Sequence, residues 1–265
     1  MMEHMRNFGW TVLPLALLGC DARKGDSEPA GNVVEMEMAA AAETAIIGTR
    51  DGRKVFLDHV SVPNARATIV LFHQAGSSGY EYRGIASRLN AAGYSTVIVD
   101  LRSGGSLYGP NRTVSKYGQS DTNYLNTIPD IEAALNWSRL QGPPVILMGS
   151  SYSASLCLRV AADNPTRVAA VLAFSPGEYF PERHFTRNAA RRLTAPVYIS
   201  QATQPDEIAQ SRAIFESLAS RQKTMFVAQS GGVHGASALR PDRNPQGESE
   251  NWEAMMRFLK SIDLS

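Results

Sequence analysis

A cluster of small and hydroxyl-bearing residues, GSSYS at 149–153, follows an apolar run and precedes a helix-like stretch. Centred on Ser151 it reads Gly-x-Ser-x-Ser, one residue away from the Gly-x-Ser-x-Gly pattern of a serine nucleophile on a sharp strand-to-helix turn. Such a turn needs small residues two positions before and after the nucleophile, and Gly149 and Ser153 meet this need. A turn centred on Ser150 would place a methionine and a tyrosine at those tight positions. We therefore predict that Ser151 is a nucleophile.

A serine hydroxyl is a poor nucleophile at neutral pH, so it needs a general base and a carboxylate that orients the base. His234 lies in a glycine-rich segment, QSGGVHGAS, after the last predicted strand, and the chain order serine, acid, histidine favours it over the other histidines. The acid is expected after the strand APVYISQA, where Asp206 comes first and is preferred. Glu207 is adjacent and Glu178 follows the preceding strand, so both remain alternatives. Asp206 is also well placed to cap the helix that follows.

Acyl transfer by a serine also needs N–H groups aimed at the negative charge that develops on the substrate oxygen. The backbone of Tyr152, the residue after the nucleophile, is expected to supply one of them. The second is expected from the loop HQAGSS at 73–78, which follows another apolar run. The sequence therefore predicts that two separate loops build one oxyanion site.

Strands and helices that alternate along the chain must position these residues. The runs typical of buried strands are 67–73, 95–100, 144–149, 168–175, 195–202 and 223–229, and the helical patterns are 79–93, 126–142, 153–164, 205–221 and 248–262. This alternation, with strands of near-continuous Val, Ile, Leu and Ala, predicts an α/β fold with a mostly parallel central sheet and helices on both faces. An earlier pair of strands around Asp51-Gly52 predicts an antiparallel edge. The candidate residues fall at carboxyl ends of strands, where α/β sheets place their chemistry.

These segments together resemble the α/β-hydrolase superfamily over roughly residues 44–262. FHQAGSS stands where the family has His-Gly-x-x-Gly-Ser, and DLRSGG stands where it has an Asp-x-Arg-Gly-like strand end. GSSYS corresponds to the elbow, TQPDE to the turn that carries the acid, and VHG to the loop that carries the histidine. The resemblance implies that Ala75 takes the second oxyanion position. Gln74, which replaces the family's usual glycine beside it, is also predicted to belong to the oxyanion hole. Ser153 replaces the second glycine of the elbow. A serine at 151 argues against dehalogenases and epoxide hydrolases, which use aspartate, and against dienelactone hydrolases, which use cysteine.

The resemblance implies a serine hydrolase that cleaves acyl esters of small molecules through an acyl-enzyme. A thioesterase, a lipase or a peptidase would use the same residues, and a non-catalytic, membrane-tethered binding protein on the same fold is the alternative of another class. Only about twenty residues separate the strands 168–175 and 195–202, so we expect a small cap or none. The long loop 102–126 is the candidate for a substrate wall.

Composition sets wider limits on the function. The chain has 265 residues, 43% of them hydrophobic and 19% charged, with a formal net charge of +1, which suits one sizeable domain and gives no indication of nucleic-acid binding. The two cysteines, Cys20 and Cys157, form neither a disulfide framework nor a metal site, and the motifs imply no cofactor. Cys157 lies among apolar residues and is expected to be a small core residue.

The N-terminal residues predict a signal segment and a membrane anchor rather than part of the folded domain. Residues 1–19 have the charged start and apolar middle of a secretory signal, too short to span a bilayer as a helix. LLGC at 17–20 resembles a bacterial lipobox, which implies cleavage before Cys20 and acylation of its sulfur. Residues 20–43 are then a flexible tether and 44–265 the hydrolase domain. This predicts a membrane-anchored lipoprotein outside the cytoplasm, on the periplasmic side in a Gram-negative cell.

Overall fold

Eight strands form a single sheet in the order β1-β2-β4-β3-β5-β6-β7-β8 in a computed structural model that describes residues 41–118, 120–229 and 231–264. The strands are β1 (Glu43–Gly48), β2 (Lys54–Val60), β3 (Thr68–Phe72), β4 (Ser95–Asp100), β5 (Val145–Ser150), β6 (Ala170–Phe174), β7 (Val197–Gln201) and β8 (Lys223–Val227). The antiparallel pairs are β1 with β2 and β2 with β4, and the strands from β4 to β8 are parallel. The predicted signal segment and Cys20 lie outside the described residues.

Seven helices are present in the described part of the chain. They are α1 (Arg83–Ala91), α2 (Arg112–Tyr117), α3 (Ile128–Arg139), α4 (Tyr152–Asp163), α5 (Phe185–Ala190), α6 (Pro205–Ser217) and α7 (Glu248–Ser261), with 3₁₀ turns at Gly79–Tyr82, Tyr124–Thr127 and Gly235–Leu239. In these ranges no helix is both long enough and apolar enough to cross a bilayer.

The central strands are buried on both faces, which explains their continuous apolar sequences. Along β5, Val145 and Leu147 belong to one core cluster, while Ile146 and Met148 belong to the cluster on the other face. The first cluster contains side chains from α3 to α6, and the second contains side chains from α1 and α7. Successive strand residues point to opposite faces, so a strand covered on both sides must be apolar throughout. The predicted α/β fold with helices on both faces is confirmed.

The local predictions match most of these elements. The antiparallel opening pair and strand 95–100 are found where the sequence places them. Cys157 is fully buried in α4, as expected of a core residue. Residues 175–196 contain only the six-residue helix α5, so the cap is small. The loop 102–126 differs from the expectation because it contains α2, which begins where the Asn111 side chain accepts a hydrogen bond from the backbone N–H of Val114 at 2.8 Å.

Candidate active site

Ser151 sits on a sharp turn between β5 and α4. Its backbone has φ +62° and ψ −126°, a region that residues other than glycine rarely adopt and that costs on the order of 1–3 kcal/mol. The turn is held because the Ser151 N–H donates to the carbonyl of Phe174 on β6 at 2.8 Å. A side chain at position 149 would place its Cβ 2.5 Å from the backbone of Ala154, so only glycine fits there. The geometry is that of the predicted elbow.

The departure from the usual elbow pattern at Ser153 has a structural reason. The Ser153 hydroxyl donates to the carbonyl of Phe72 at 2.7 Å and accepts from the N–H of Ser150 at 2.9 Å. It is fully buried, so these bonds satisfy a group that water does not reach. The serine therefore fastens the turn to the end of β3, which a glycine could not do.

His234 faces a carboxylate, and this carboxylate belongs to Glu207. The Nδ1 atom of His234 lies 3.1 Å from both Oε1 and Oε2 of Glu207. An ionised carboxylate can only accept hydrogen bonds, so Nδ1 carries the proton and Nε2 is left with a free lone pair. The side chain of Gln201, at the end of β7, donates to Glu207 Oε2 at 3.0 Å and holds the carboxylate in place. The ring is thus set in the tautomer that a general base needs.

The structure does not bring the predicted orienting acid, Asp206, to His234. Asp206 is exposed in the first turn of α6 and has no hydrogen-bond partner among the described side chains, whereas Glu207 is one residue further round the helix and turned toward His234. The other alternative, Glu178, is engaged elsewhere. Its carboxylate accepts from the N–H groups of Thr186 and Arg187 at 2.9 and 3.0 Å and so caps the start of α5.

Ser151 and His234 are not hydrogen-bonded to each other within the described part of the chain, although their loops meet at the same edge of the sheet. The N–H of Gly235 donates to the hydroxyl of Ser175, the residue after β6, at 2.8 Å. In enzymes without substrate, hydrogen bonds between catalytic groups are often long and tighten only on binding. Tyr179 also lies at this edge, where burial raises its pKa to about 12 and the nearby Ser151 hydroxyl offsets part of that rise.

Two of the three predicted oxyanion donors have N–H groups left for a ligand. Tyr152 is the first residue of α4, so its N–H has no acceptor within the helix. The N–H of Ala75 donates to no acceptor among the described residues. The prediction of Gln74 is wrong, because its N–H donates to the buried carboxylate of Glu81 at 2.9 Å and is already used.

His73 has a structural role at the end of β3. Its Nδ1 lies 2.8 Å from the carbonyl of Gln74, and its Nε2 accepts from the N–H of Leu101 at 3.0 Å, so the ring ties the ends of β3 and β4 together. Complete burial lowers the pKa of His73 and keeps the ring neutral. This agrees with leaving His73 out of the catalytic prediction.

The first part of the loop 102–126 lies against the oxyanion loop. The N–H groups of Gly105 and Leu107 donate to the carbonyls of Ser77 and Gly76 at 2.7 and 3.1 Å. Leu107 is 58% exposed, which makes it one of the exposed large apolar side chains. The predicted substrate wall therefore stands beside the candidate site. In the described ranges, no group of three or more His, Cys, Asp or Glu side chains is placed to hold a metal ion.

Comparison with protein families places this site in a known group. The model of the Dienelactone hydrolase family matches residues 57–263, which include the elbow, Glu207 and His234. The chain belongs to the Dienelactone hydrolase family. The sequence-based argument against dienelactone hydrolases is therefore wrong, because the match includes a chain with serine at the elbow. Cys157 is buried in the middle of α4, so it does not occupy the elbow position at which the cysteine nucleophile is expected. Identity of the nucleophile alone does not mark the boundary of the family.

Solved structures share the fold at low sequence identity. The esterase Pf2001 of Pyrococcus furiosus has a TM-score of 0.65 at 18% identity, over 84% of this chain and 93% of that one. A dienelactone hydrolase of Anabaena variabilis has a TM-score of 0.66 at 16% identity, over 84% and 98%. A monoacylglycerol lipase of Paleococcus ferrophilus has a TM-score of 0.57 at 18% identity, over 77% and 98%. The comparison with curated proteins finds no match. Membership of a hydrolase family supports ester hydrolysis as the broad function.

Proposed function

We propose that the protein is a serine hydrolase that cleaves carboxylic esters of small molecules through an acyl-enzyme. The observation that carries the proposal is the pairing of His234 with Glu207 at the strand edge where Ser151 is held on a strained turn. The pairing supplies an oriented base, and the turn exposes a hydroxyl next to unused N–H groups. Ser175 is the other described serine with a positive φ, at +53°, and its hydroxyl is already bonded to the N–H of Gly235.

In the first half of the proposed reaction, Ser151 Oγ attacks the ester carbonyl carbon while His234 Nε2 takes the hydroxyl proton. The new C–O bond pushes the carbonyl electron pair onto oxygen, where the N–H groups of Ala75 and Tyr152 stabilise the charge. The pair returns as the bond to the alcohol oxygen breaks, and Nε2 gives that oxygen its proton. In the second half, water attacks the acyl-enzyme by the same sequence and releases the acid.

The small cap makes the site open, so the fold sets no narrow limit on the acyl group. Thioesters and amides remain alternative substrates because they would need the same three residues. The predicted lipid anchor at Cys20 would hold the enzyme at a membrane surface outside the cytoplasm. Expression of the full chain in a bacterial host checks this, since Cys20→Ser should move the protein from the membrane fraction to the soluble fraction. Unchanged fractionation would refute the anchor.

The ester hydrolase proposal is tested with purified full-length protein and a series of activated aryl esters of increasing acyl length. Wild type should show turnover above background, and Ser151→Ala should lower kcat by about 10⁵-fold or more, since losing a triad nucleophile has such an effect. Ser150→Ala is not a suitable control because Ser150 lies beside the site, so Ser87→Ala on the exposed side of α1 serves instead. If wild type and Ser151→Ala give equal background rates, the enzyme proposal fails and the non-catalytic alternative replaces it.

A further inference from the structure

A buried carboxylate lies beneath the candidate nucleophile, and the steps of ester hydrolysis do not use it. Glu81 belongs to the 3₁₀ turn before α1 and is 1% exposed. Its Oε1 accepts from the hydroxyl of Ser150 at 2.6 Å, and its Oε2 accepts from the backbone N–H of Gln74 at 2.9 Å. The carboxylate therefore contacts the oxyanion loop with one oxygen and the residue before the nucleophile with the other.

Ser150 extends this contact to the histidine loop. Its Oγ accepts from the N–H of Ala236 at 2.9 Å while donating to Glu81. Gly235, between His234 and Ala236, has φ +70°, and a Cβ there would lie 2.4 Å from Ser150 Oγ. The close approach of the histidine loop to Ser150 thus requires glycine at 235. Only Gly235 separates the bonded N–H of Ala236 from the proposed base, His234, along the chain.

A second set of hydrogen bonds joins the same two loops from another side. The side-chain amide of Gln74 donates to the Tyr108 hydroxyl at 3.2 Å, and that hydroxyl lies 2.8 Å from Oγ of Ser237. Together the two sets form a closed ring. It runs from Glu81 to Gln74 in the oxyanion loop, then to Tyr108 in the loop 102–126, then to Ser237 and Ala236 in the histidine loop, and back to Glu81 through Ser150. We call this arrangement the loop ring.

We propose that Glu81 is a positioning residue, which acts through Ser150 to hold the oxyanion loop and the histidine loop at a fixed distance from each other. The inference rests on the proposed function, because the two loops carry the Ala75 N–H and the His234 ring. Glu81 itself touches neither substrate nor Ser151. It keeps the Ala75 N–H and the His234 ring at fixed positions relative to the Ser151 hydroxyl. Catalysis needs this because a misplacement of about 1 Å lowers the rate strongly.

The groups around Glu81 favour the ionised carboxylate in this role. Gln74 offers it two N–H donors, and the Ser150 hydroxyl donates as well. Burial raises the pKa of Glu81, and the charge of Arg240 partly offsets that rise. Burial and these hydrogen-bond donors therefore shift the pKa of Glu81 in opposite directions.

The test compares Glu81→Gln and Ser150→Ala with Asp100→Asn in the full-length protein. Gln presents an N–H₂ group to one of two donors and so opens the ring, while Ser150→Ala removes the hydroxyl that bonds both Glu81 and the N–H of Ala236. Asp100 is the control, because it is an equally buried carboxylate that accepts from the backbone N–H of Gly79 in the same 3₁₀ turn at 2.8 Å and from Arg112 at 2.6 Å, with no hydrogen bond to the oxyanion loop or the histidine loop. Melting temperatures confirm that each variant is folded at the assay temperature.

The expected kinetic result is a selective loss of turnover. Glu81→Gln should lower kcat toward an activated ester by about 10- to 100-fold with KM changed less than about threefold, since small misplacements of catalytic groups have effects of this size. Ser150→Ala should lower kcat by about tenfold, and Asp100→Asn should leave kcat within about twofold. Equal losses of kcat in Glu81→Gln and Asp100→Asn at matched stability would show a merely structural role and overturn the proposal. An unchanged kcat in Glu81→Gln would overturn it too.

Amide hydrogen exchange supplies a readout that does not depend on activity. If the loops are coupled, Ser150→Ala should speed exchange in peptides that cover 73–78 as well as those that cover 234–239. Faster exchange confined to 234–239 would refute the coupling. If the wild type neither hydrolyses esters nor reacts with a serine probe, the proposed function fails, and the exchange result still decides whether Glu81 and Ser150 couple the two loops.

Discussion

The proposed nucleophile and its proposed base lie on two differently built parts of the sheet. Every residue of β5, which carries the nucleophile, is buried, and α4 behind it is packed into the larger core cluster. β8, which precedes the histidine loop, is an edge strand with no fully buried position. The acid and the base are about one-third exposed, at 31% for Glu207 and 34% for His234. Packing therefore fixes the proposed nucleophile, whereas hydrogen bonds among Gln201, Glu207 and His234 orient the proposed acid and base.

This difference explains which parts of the proposed site the sequence and the structure place alike. The elbow has tight steric requirements, so small residues at 149 and 153 reveal it. Around the acid, nothing in the residue types separates Asp206 from Glu207, since both fit the first turn of a helix with Pro205 at its start. A step of one residue rotates a side chain by roughly 100° about the helix axis. The rotation of α6 about its own axis turns Glu207 toward His234 and Asp206 toward solvent. Packing against the rest of the fold sets this rotation, so the local sequence does not reveal it.

The largest effect in this comparison is expected from paired substitutions of the two acids. Glu207→Gln should lower kcat by about 10²- to 10⁴-fold, because an amide neither fixes the Nδ1–H tautomer of His234 nor stabilises the imidazolium. Asp206→Asn is the matched control and should stay within about twofold of wild type. Steady-state kinetics of the two variants on one activated ester give the result. A larger loss in Asp206→Asn would mean that the acid assigned from the geometry is not the one that works.

A smaller effect is expected on the nucleophile side, in stability rather than in turnover. Ser153→Ala removes the hydroxyl that bonds the carbonyl of Phe72 and leaves the buried Ser150 N–H without its acceptor. The free energy of unfolding should fall by about 1–3 kcal/mol, the usual effect of an unsatisfied buried group. Urea unfolding of the variant and of Ser87→Ala, an exposed serine on α1, measures it. Equal stability of the two variants would show that the Ser153 bonds do not hold the elbow.

The fold could be predicted in more detail than the site. Alternating apolar runs and helical patterns identify all eight strands and the larger helices. The central strands are recognisable because burial on both faces makes them apolar at nearly every position. The short helix α2 escapes, since its six residues are stabilised by Asn111 and by the hydroxyl of Thr113, which accepts from the N–H of Phe56 at 3.0 Å. Contacts of this kind join residues far apart in the chain and leave no local pattern.

Residues that act through distant partners are the ones that sequence reasoning misses. Sequence reasoning sets Ser150 aside as a nucleophile, yet the same residue links Glu81 to the histidine loop. Gln74 is correctly noted as unusual in the oxyanion loop, but its use of the N–H toward Glu81 depends on a carboxylate seven residues later in the chain. A buried glutamate in a turn before a helix, EYRG at 81–84, could have drawn attention to this contact.

The central claim, an activated serine at position 151, is tested most directly by covalent labelling. Full-length wild type, Ser151→Ala and heat-denatured wild type would be treated with a fluorophosphonate probe, and the modified peptide would be mapped by mass spectrometry. We expect one phosphonyl group on Ser151 of the native wild type and none on the other two samples. An adduct on another serine, or none on the folded wild type, would contradict the claim.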